Sequence, residues 1–307
     1  MDIKLQPLAI KDAASLTRVQ LVKQPDVRLL AASGHHVSIL SNLAGPVDSK
    51  PAFEVTTGFE TSTWEAQALA GGKFSWIYTE AGSAINWVMA RSTGEEDGAR
   101  VHSEAFAVYT APHYVRGNRS EGLITAIHHE KGQARVMVFD RRQATEFALS
   151  RPVDPGRTGI KDALLVRDSS GFWLFLLLPA NGAVADPKPR KTGTGTRMPG
   201  LVEAIRLDQT LKASGSPIRV FAGLPVYELD VAAAGDQRLV IFATTATGVV
   251  AGVGASASEL VFKEIPLQQA VASPTLLVEQ ETAHMAGILD LGGDRATVVY
   301  GSIHLDR

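Results

Sequence analysis

The stretch "IKLQPLAI" (residues 3–10) opens the chain with the pattern of a strand that ends a repeat. A near copy, "LVFKEIPL", stands at 260–267, just before the last run of strands. Both mix charged or amide residues with apolar ones, as a half-solvated strand does. A chain that begins with its own closing strand needs its first segment to pair with its last. A circle of sheets sealed by the two chain ends meets that need, because it leaves only short, protected sheet edges.

Outward from that stretch the sequence is a succession of short β-branched and aromatic runs cut by turn residues. "DVRLLAAS" (26–33), "FSWIYTE" (74–80), "LITAIHH" (123–129), "RLVIFATT" (238–245) and "ATVVYGS" (296–302) are the clearest strands. The turns are typed by "SG" (33–34), "GG" (71–72), "EKGQ" (130–133), "DSSG" (168–171) and "GD" (235–236), where glycine accepts the positive φ of a tight hairpin. In groups of four the runs make units of about 40–50 residues, the spacing of propeller blades. The first unit takes 17–23, 26–32, 36–41 and 52–57, and the second 65–70, 74–80, 84–91 and 103–110. The third takes 112–117, 122–129, 134–140 and 145–150. The fourth is "KDALLVRD", "FWLFLLLP", "GLVEAIRLD" and "PIRVFAG", and the fifth "YELDVAAA", "RLVIFATT", "GVVAGVGA" and "ELVFKEIPL". The sixth has only "PTLLVEQE", "HMAGILDL" and "ATVVYGSI", so "IKLQPLAI" supplies its missing strand.

The expected fold is therefore all-β: a single β-propeller domain over 1–307, with six four-stranded blades and a ring closed by the N-terminal strand. Seven blades, two packed sandwiches and a β-solenoid are the alternatives. A solenoid needs shorter, more uniform repeats, and two sandwiches need a linker that the sequence does not offer. Runs such as "WLFLLL" and "RLVIF" suit strands buried on both faces, whereas "FKEIPL" suits a half-solvated outer strand.

At the level of organisation the whole chain resembles the β-propeller superfamily. The marks of its named branches are missing. None of Trp64, Trp76, Trp87 or Trp173 precedes the Asp of a WD repeat, and only Gly71–Gly72 and Gly292–Gly293 give the di-glycine of a Kelch blade. "RDSSGFW" (167–173) is similar to the Asp-box of sialidase-like propellers, Ser-x-Asp-x-Gly-x-x-Trp, but its spacing differs and no sialidase site is carried across. Fold alone does not license function.

Composition narrows the chemistry. The 30 basic and 32 acidic residues nearly balance, which argues against nucleic acid or an anionic membrane as the general partner. No cysteine is present, so disulfides, thiolate nucleophiles and Cys-based metal sites are excluded. "MDIKLQPLAIKDAASL" lacks the basic and apolar regions of a signal peptide, and "FWLFLLLPA" (172–180) is too short to span a bilayer. The compartment stays open, cytoplasmic or secreted with a signal already removed.

In a propeller, the loops between second and third strands share a face with those leading into the next blade. Binding residues favour such loops on a rigid scaffold. That face collects His36, of the pair His35–His36, and His129, of the pair His128–His129, with His113 nearby. Neighbours on a strand point to opposite sides, so each pair offers one imidazole, and no carboxylate completes a metal motif. No metal and no cofactor is expected. The stretch 179–200 carries Lys188, Arg190, Lys191 and Arg197 against Asp186, a basic flap for an anionic ligand or simply a solvated excursion. Asp154, Arg157 and Trp64 are further candidates there. "STGEEDGAR" (92–100) reads as an acidic turn on the other face. "KTGTGTR" is no P-loop, and "GVVAGVGAS" (248–256) no dinucleotide fingerprint.

The leading expectation is a non-catalytic propeller whose loop face binds a protein partner or a small anionic or carbohydrate ligand. The alternative is a propeller hydrolase or lyase acting on a carbohydrate or lactone at the channel mouth. A cluster of His113, His129 and an acid around the channel would favour the enzyme. A structural subunit of a larger assembly is the third reading.

Overall fold

In the computed structural model, β1 (Gln6–Leu8) opens the chain, and six groups of antiparallel strands follow. The structure describes residues 3–8, 10, 13–23, 25–33, 36–40, 43, 54–56, 64–69, 71, 73–80, 84–91, 94–103, 108–117, 122–131, 133–141, 147–149, 152–180, 190–192, 195–235, 238–292 and 295–305. The first sheet is β2 (Arg18–Lys23), β3 (Val27–Ser33), β4 (His36–Leu40) and β5 (Glu54–Thr56). The second is β6 (Trp64–Leu69), β7 (Lys73–Glu80), β8 (Ala84–Arg91) and β9 (Gly94–Ser103).

The third sheet begins with β10 (Val108–Tyr114), which runs on into β11 (Arg116–Gly117), and continues with β12 (Leu123–Glu130), β13 (Gln133–Arg141) and β14 (Phe147–Leu149). The fourth group is β15 (Asp162–Arg167) and β16 (Phe172–Pro179), then a ribbon of β17 (Arg190–Thr192) and β18 (Gly195–Arg197), then β19 (Gly200–Leu207) and β20 (Ile218–Val220). The fifth is β21 (Val226–Ala234), β22 (Arg238–Thr245), β23 (Gly248–Gly254) and β24 (Val261–Pro266). The sixth is β25 (Val271–Glu279), β26 (Thr282–Gly292) and β27 (Arg295–His304), with β1 as its fourth strand.

The first strand of the chain lies antiparallel to the last, with Gln6 opposite Tyr300, Pro7 opposite Val299 and Leu8 opposite Val298. Thr297 Oγ1 adds a bond of 2.9 Å to the Leu8 carbonyl. Ile3 and Leu8 are buried at this seam. Burying a side chain of that size contributes about 1.5–3 kcal/mol, so the pairing is held by packing as much as by its ladder.

Three expectations need correction. The segment 94–103 is a strand paired to β8, not an acidic turn, and 108–114 belongs to the third sheet rather than closing the second. A strand that pairs along one edge tolerates a polar, charged sequence, and alternation alone could not separate it from a loop. The fourth and fifth groups are also not separate four-stranded sheets. The single pair Gly200–Val226 and the parallel pairing of β11 with β15 join them into one nine-stranded sheet. Glycine permits the close approach of β11 to β15, and of β19 to β16. Gly117 has φ +103°, and a Cβ there would run into the Arg167 carbonyl; one on Gly200 would run into the Leu178 carbonyl.

The apolar runs behave as their composition requires. In β16 every residue from Phe172 to Leu178 is buried, and in β22 every residue from Leu239 to Thr245, whereas β24 is mostly exposed. Their side chains pack between consecutive groups. Trp64, Phe74 and Trp76 meet Leu30 and Ile39 between the first and second sheets, and Ile77 and Trp87 meet Tyr109 and Phe139 between the second and third. Val136 and Ile127 meet Leu165 and Leu174, and Phe175 and Val202 meet Val231 and Ile241. Phe242 and Val249 meet Leu276 and Val299, and Leu8, Ile288 and Val298 meet Val19 and Leu29 of the first sheet.

Polar side chains stitch the first strands of neighbouring sheets together. Gln20 Nε2 donates to the Ala66 carbonyl at 2.6 Å while its Oε1 accepts from the Ala66 amide at 2.8 Å. Ser273 Oγ accepts from the Val19 amide at 3.0 Å, and Thr275 Oγ1 from the Leu21 amide at 2.9 Å. Replacing Gln20 by Leu is expected to cost about 2–4 kcal/mol, because it strands two buried backbone groups. A urea midpoint equal to that of the parent would show the stitch to be dispensable.

Candidate functional site

Six strands carry a polar or ionisable side chain toward one place: Arg18 on β2, Glu65 on β6, His113 near the end of β10, Asp162 on β15, Glu228 on β21 and Ser273 on β25. Alternation puts a second layer two residues further along on β2, β21 and β25, with Gln20, Asp230 and Thr275, and Arg116 on β11 joins it. Two of these strands reach the site through a distorted backbone. Ala111 (φ 47°) precedes Pro112 where β10 shifts register, and Ser273 (φ 50°) precedes Pro274 where β25 does. Left-handed conformations at non-glycine residues cost about 1–3 kcal/mol each and gather at functional sites, as bulges do.

His113 bridges two carboxylates, with Nδ1 2.7 Å from Glu65 Oε2 and Nε2 2.8 Å from Asp162 Oδ1. Burial works against its charge, but the Asp162 and Glu65 carboxylates outweigh burial and raise the imidazole to about 10. It is therefore an imidazolium at neutral pH. Glu65 also receives Arg116 Nη2 at 2.6 Å and the Tyr114 amide at 3.2 Å. Burial would push this carboxyl up; Arg116, His113 and Arg18 hold it at about 2. Asp162 is likewise ionised, since His113 and Arg197 overcome its burial, and the Ala163 amide donates to its Oδ1 at 2.8 Å.

Arg116 ties three sheets at the second layer. It reaches Glu65, the Leu276 carbonyl at 3.2 Å and Asp230 at 3.4 Å. Burial would lower its pKa, but Asp230 and Glu65 raise it. Asp230 accepts the Leu276 amide at 2.8 Å, and burial pushes its carboxyl up against the pull of Arg116. Glu228 receives the Ser273 amide at 2.9 Å and Arg197 Nη1 at 2.9 Å.

Above this layer lies a cavity of about 240 Å³, walled by Arg18, Ala111, His113, Lys161, Asp162, Arg197, Glu228 and Ser273 among others. Lys161 Nζ donates to the Met198 and Pro199 carbonyls, each at 3.0 Å, so the end of the 179–200 stretch is fastened to the rim. Burial lowers the pKa of Lys161. Arg18 stands 5.6 Å from the centre of the Trp64 ring, and its buried Nε has no hydrogen-bond partner.

The residues nominated from sequence fare differently. His113 and Arg197 are at the cavity. Trp64 lies wholly in the core, edge-on to Trp76 at 5.1 Å, and meets the site through Arg18. His129 pairs with Thr110 Oγ1 at 2.9 Å on β12, away from the cavity wall. Asp154 is exposed and caps its own turn through the Gly156 amide, and Arg157 pairs with Glu203 at 2.7 Å beside a separate depression. Lys188 and the side chains of His36, Arg190 and Lys191 lie outside the described residues. The turn at "RDSSGFW" is structural: Asp168 accepts the Ser170 and Gly171 amides and pairs with Arg206. Missed from sequence were Arg18, Glu65, Arg116, Lys161, Asp162, Glu228 and Asp230.

No family model matches the sequence, and no curated protein matches it. Among solved structures, a protein of unknown function from Dyadobacter fermentans aligns over 99% of this chain and 99% of its own, with a TM-score of 0.67 and 7% identity. A mutant Trypanosoma rangeli sialidase with trans-sialidase activity aligns over 95% of this chain and 54% of its own, at 0.59 and 7%. The polysaccharide lyase Uly1 aligns over 94% and 90%, at 0.52 and 10%. At such identities the likeness is one of fold: the chain is a β-propeller.

Proposed function

We propose that the six strand groups are blades of one ring forming a single domain, closed where β1 joins β27. We further propose that the ring acts on a carbohydrate in its axial cavity, as a hydrolase or a lyase. The ring reading is supported by the apolar packing, which passes from each group to the next and from the sixth back to the first. One observation carries the functional reading: an ionised carboxylate, Asp162, stands on the wall of a polar cavity that five first strands and the rim of 179–200 build together. The cavity lies below the ~300–1,000 Å³ of drug-sized pockets, which suits about one sugar ring. That a sialidase and a polysaccharide lyase share the fold is in keeping with this chemistry.

In this reading Asp162 is the base or nucleophile. Among the described residues its two bonds both fall on Oδ1. His113 is a positioning residue that fixes the carboxylate and keeps it charged. Lys161, whose pKa burial lowers, is the candidate proton donor to the leaving oxygen. Incubation with neutral and acidic glycans should release either a new reducing end, for hydrolysis, or an unsaturated sugar, for elimination. Asp162→Asn should cut that rate about a hundredfold or more. A variant as active as the parent, or no product from any glycan that binds, would remove the enzyme reading.

A second reading, a non-catalytic binder of the same ligand, is favoured by one feature. His113 is locked between Glu65 and Asp162 and held at about 10, so it cannot cycle as a base near neutrality. A glycan that binds without turnover would select it.

A further inference from the structure

One cation of the cavity wall, Arg18, acts on Glu65, Asp162 and Glu228 through space and not through a direct ion pair among the described residues. Glu65 has His113 and Arg116, Asp162 has His113, and Glu228 has Arg197. Arg18 has no ion pair of this kind among the described residues, and its Nε is buried without a partner. A guanidinium stays charged in proteins, and an unmade hydrogen bond from a buried charged donor is costly. The Trp64 ring at 5.6 Å steadies the cation by the attraction of its π face. An arginine held against an aromatic ring on a cavity wall has less freedom to lose when it meets a ligand, and its fork matches a carboxylate in two parallel bonds.

The rest of the wall says which anion. Lys161, Arg197 and His113 make the lining cationic beside Arg18, but Asp162 and Glu228 stand in it as well. Two carboxylates repel a dianion such as a phosphate more than a monoanion, and they accept hydrogen bonds from hydroxyls. A lining of this mixture fits a single carboxylate carried on a polyol. Resting on the carbohydrate reading above, we propose that Arg18 is the specificity-determining residue of the cavity and that it binds the carboxylate of an acidic sugar, a hexuronate-type ring.

Titration calorimetry with glucuronate, galacturonate, the matching neutral hexoses and glucose 6-phosphate tests this. The uronates should bind about tenfold or more tightly than the neutral sugars, the margin expected of a charge-assisted pair. The margin should shrink as salt is raised. Arg18→Met should abolish the preference for the uronate while leaving the weak affinity for the neutral ring, and Arg18→Lys should restore part of it. If Arg18→Met does not fold, the salt dependence and the uronate-to-hexose ratio of the unaltered protein still decide. Equal binding of uronate and neutral sugar would overturn this assignment and leave the carbohydrate reading standing. Tighter binding of the phosphate sugar would overturn the carboxylate assignment. Binding of none of the sugars would sink both readings.

Discussion

Replacing His113 by Gln should destabilise the protein by about 3–5 kcal/mol, because it leaves Glu65 and Asp162 buried with one cation fewer between them. A cost of that size is a large share of the ~5–15 kcal/mol that holds a typical domain folded. The loss should depend on pH in a defined way. The imidazole is raised from 6.5 to about 10 on folding, so its contribution is complete below pH 6.5 and disappears as pH climbs through 10. Glu65 is lowered from 4.5 to about 2, so its contribution is complete above pH 4.5 and disappears as pH falls through 2. Denaturant midpoints of parent and variant should therefore differ most between pH 4.5 and 6.5 and draw together toward pH 10. A gap that stays level from pH 5 to 10 would mean that His113 is not a charged bridge.

Deleting residues 1–10 should have an effect of similar size, about 5 kcal/mol. It removes the buried Ile3 and Leu8, at about 1.5–3 kcal/mol each, together with the three strand pairs to β27. It also uncovers one edge of the sixth sheet. For a chain of this size that corresponds to a drop of about 10 °C or more in Tm, in one cooperative step. A synthetic peptide of residues 1–10 should raise the melting temperature of the truncated protein. If truncation leaves the melting curve where it was, the seam between β1 and β27 contributes nothing, and the ring proposed above loses its closure.

Both predictions concern features that were unequally visible in the sequence. The seam was visible, because "IKLQPLAI" repeats the pattern of "LVFKEIPL" and the sixth group is short of a strand. The ionic cluster was visible only as a regularity that went unread. An ionisable residue enters the first strand of five groups, in "TRVQLV" (17–22), "WEAQAL" (64–69), "HYVRG" (113–117), "KDALLV" (161–166) and "YELDVAAA" (227–234), and "SPTLLV" (273–278) has a serine there. A charge at the mouth of a buried strand is costly unless paired. Five such charges and a serine on corresponding strands point to a shared site. The loop residues Asp154 and Arg157, by contrast, serve their own turn and a local ion pair.

The all-β character, the order of most strands and the partnership of the first strand with the last were determined by the sequence itself, since apolar period, turn residues and repeat spacing are local properties of the chain. Which charges meet was decided only by the tertiary structure. Glu65, His113, Asp162 and Arg116 are distant in sequence and acquire their ionisation states from burial and from one another, and neither exists until the sheets are packed. The same packing leaves Arg18 Nε buried without a hydrogen-bond partner among the described residues at a cavity walled by five first strands, a fact that no single stretch of sequence contains.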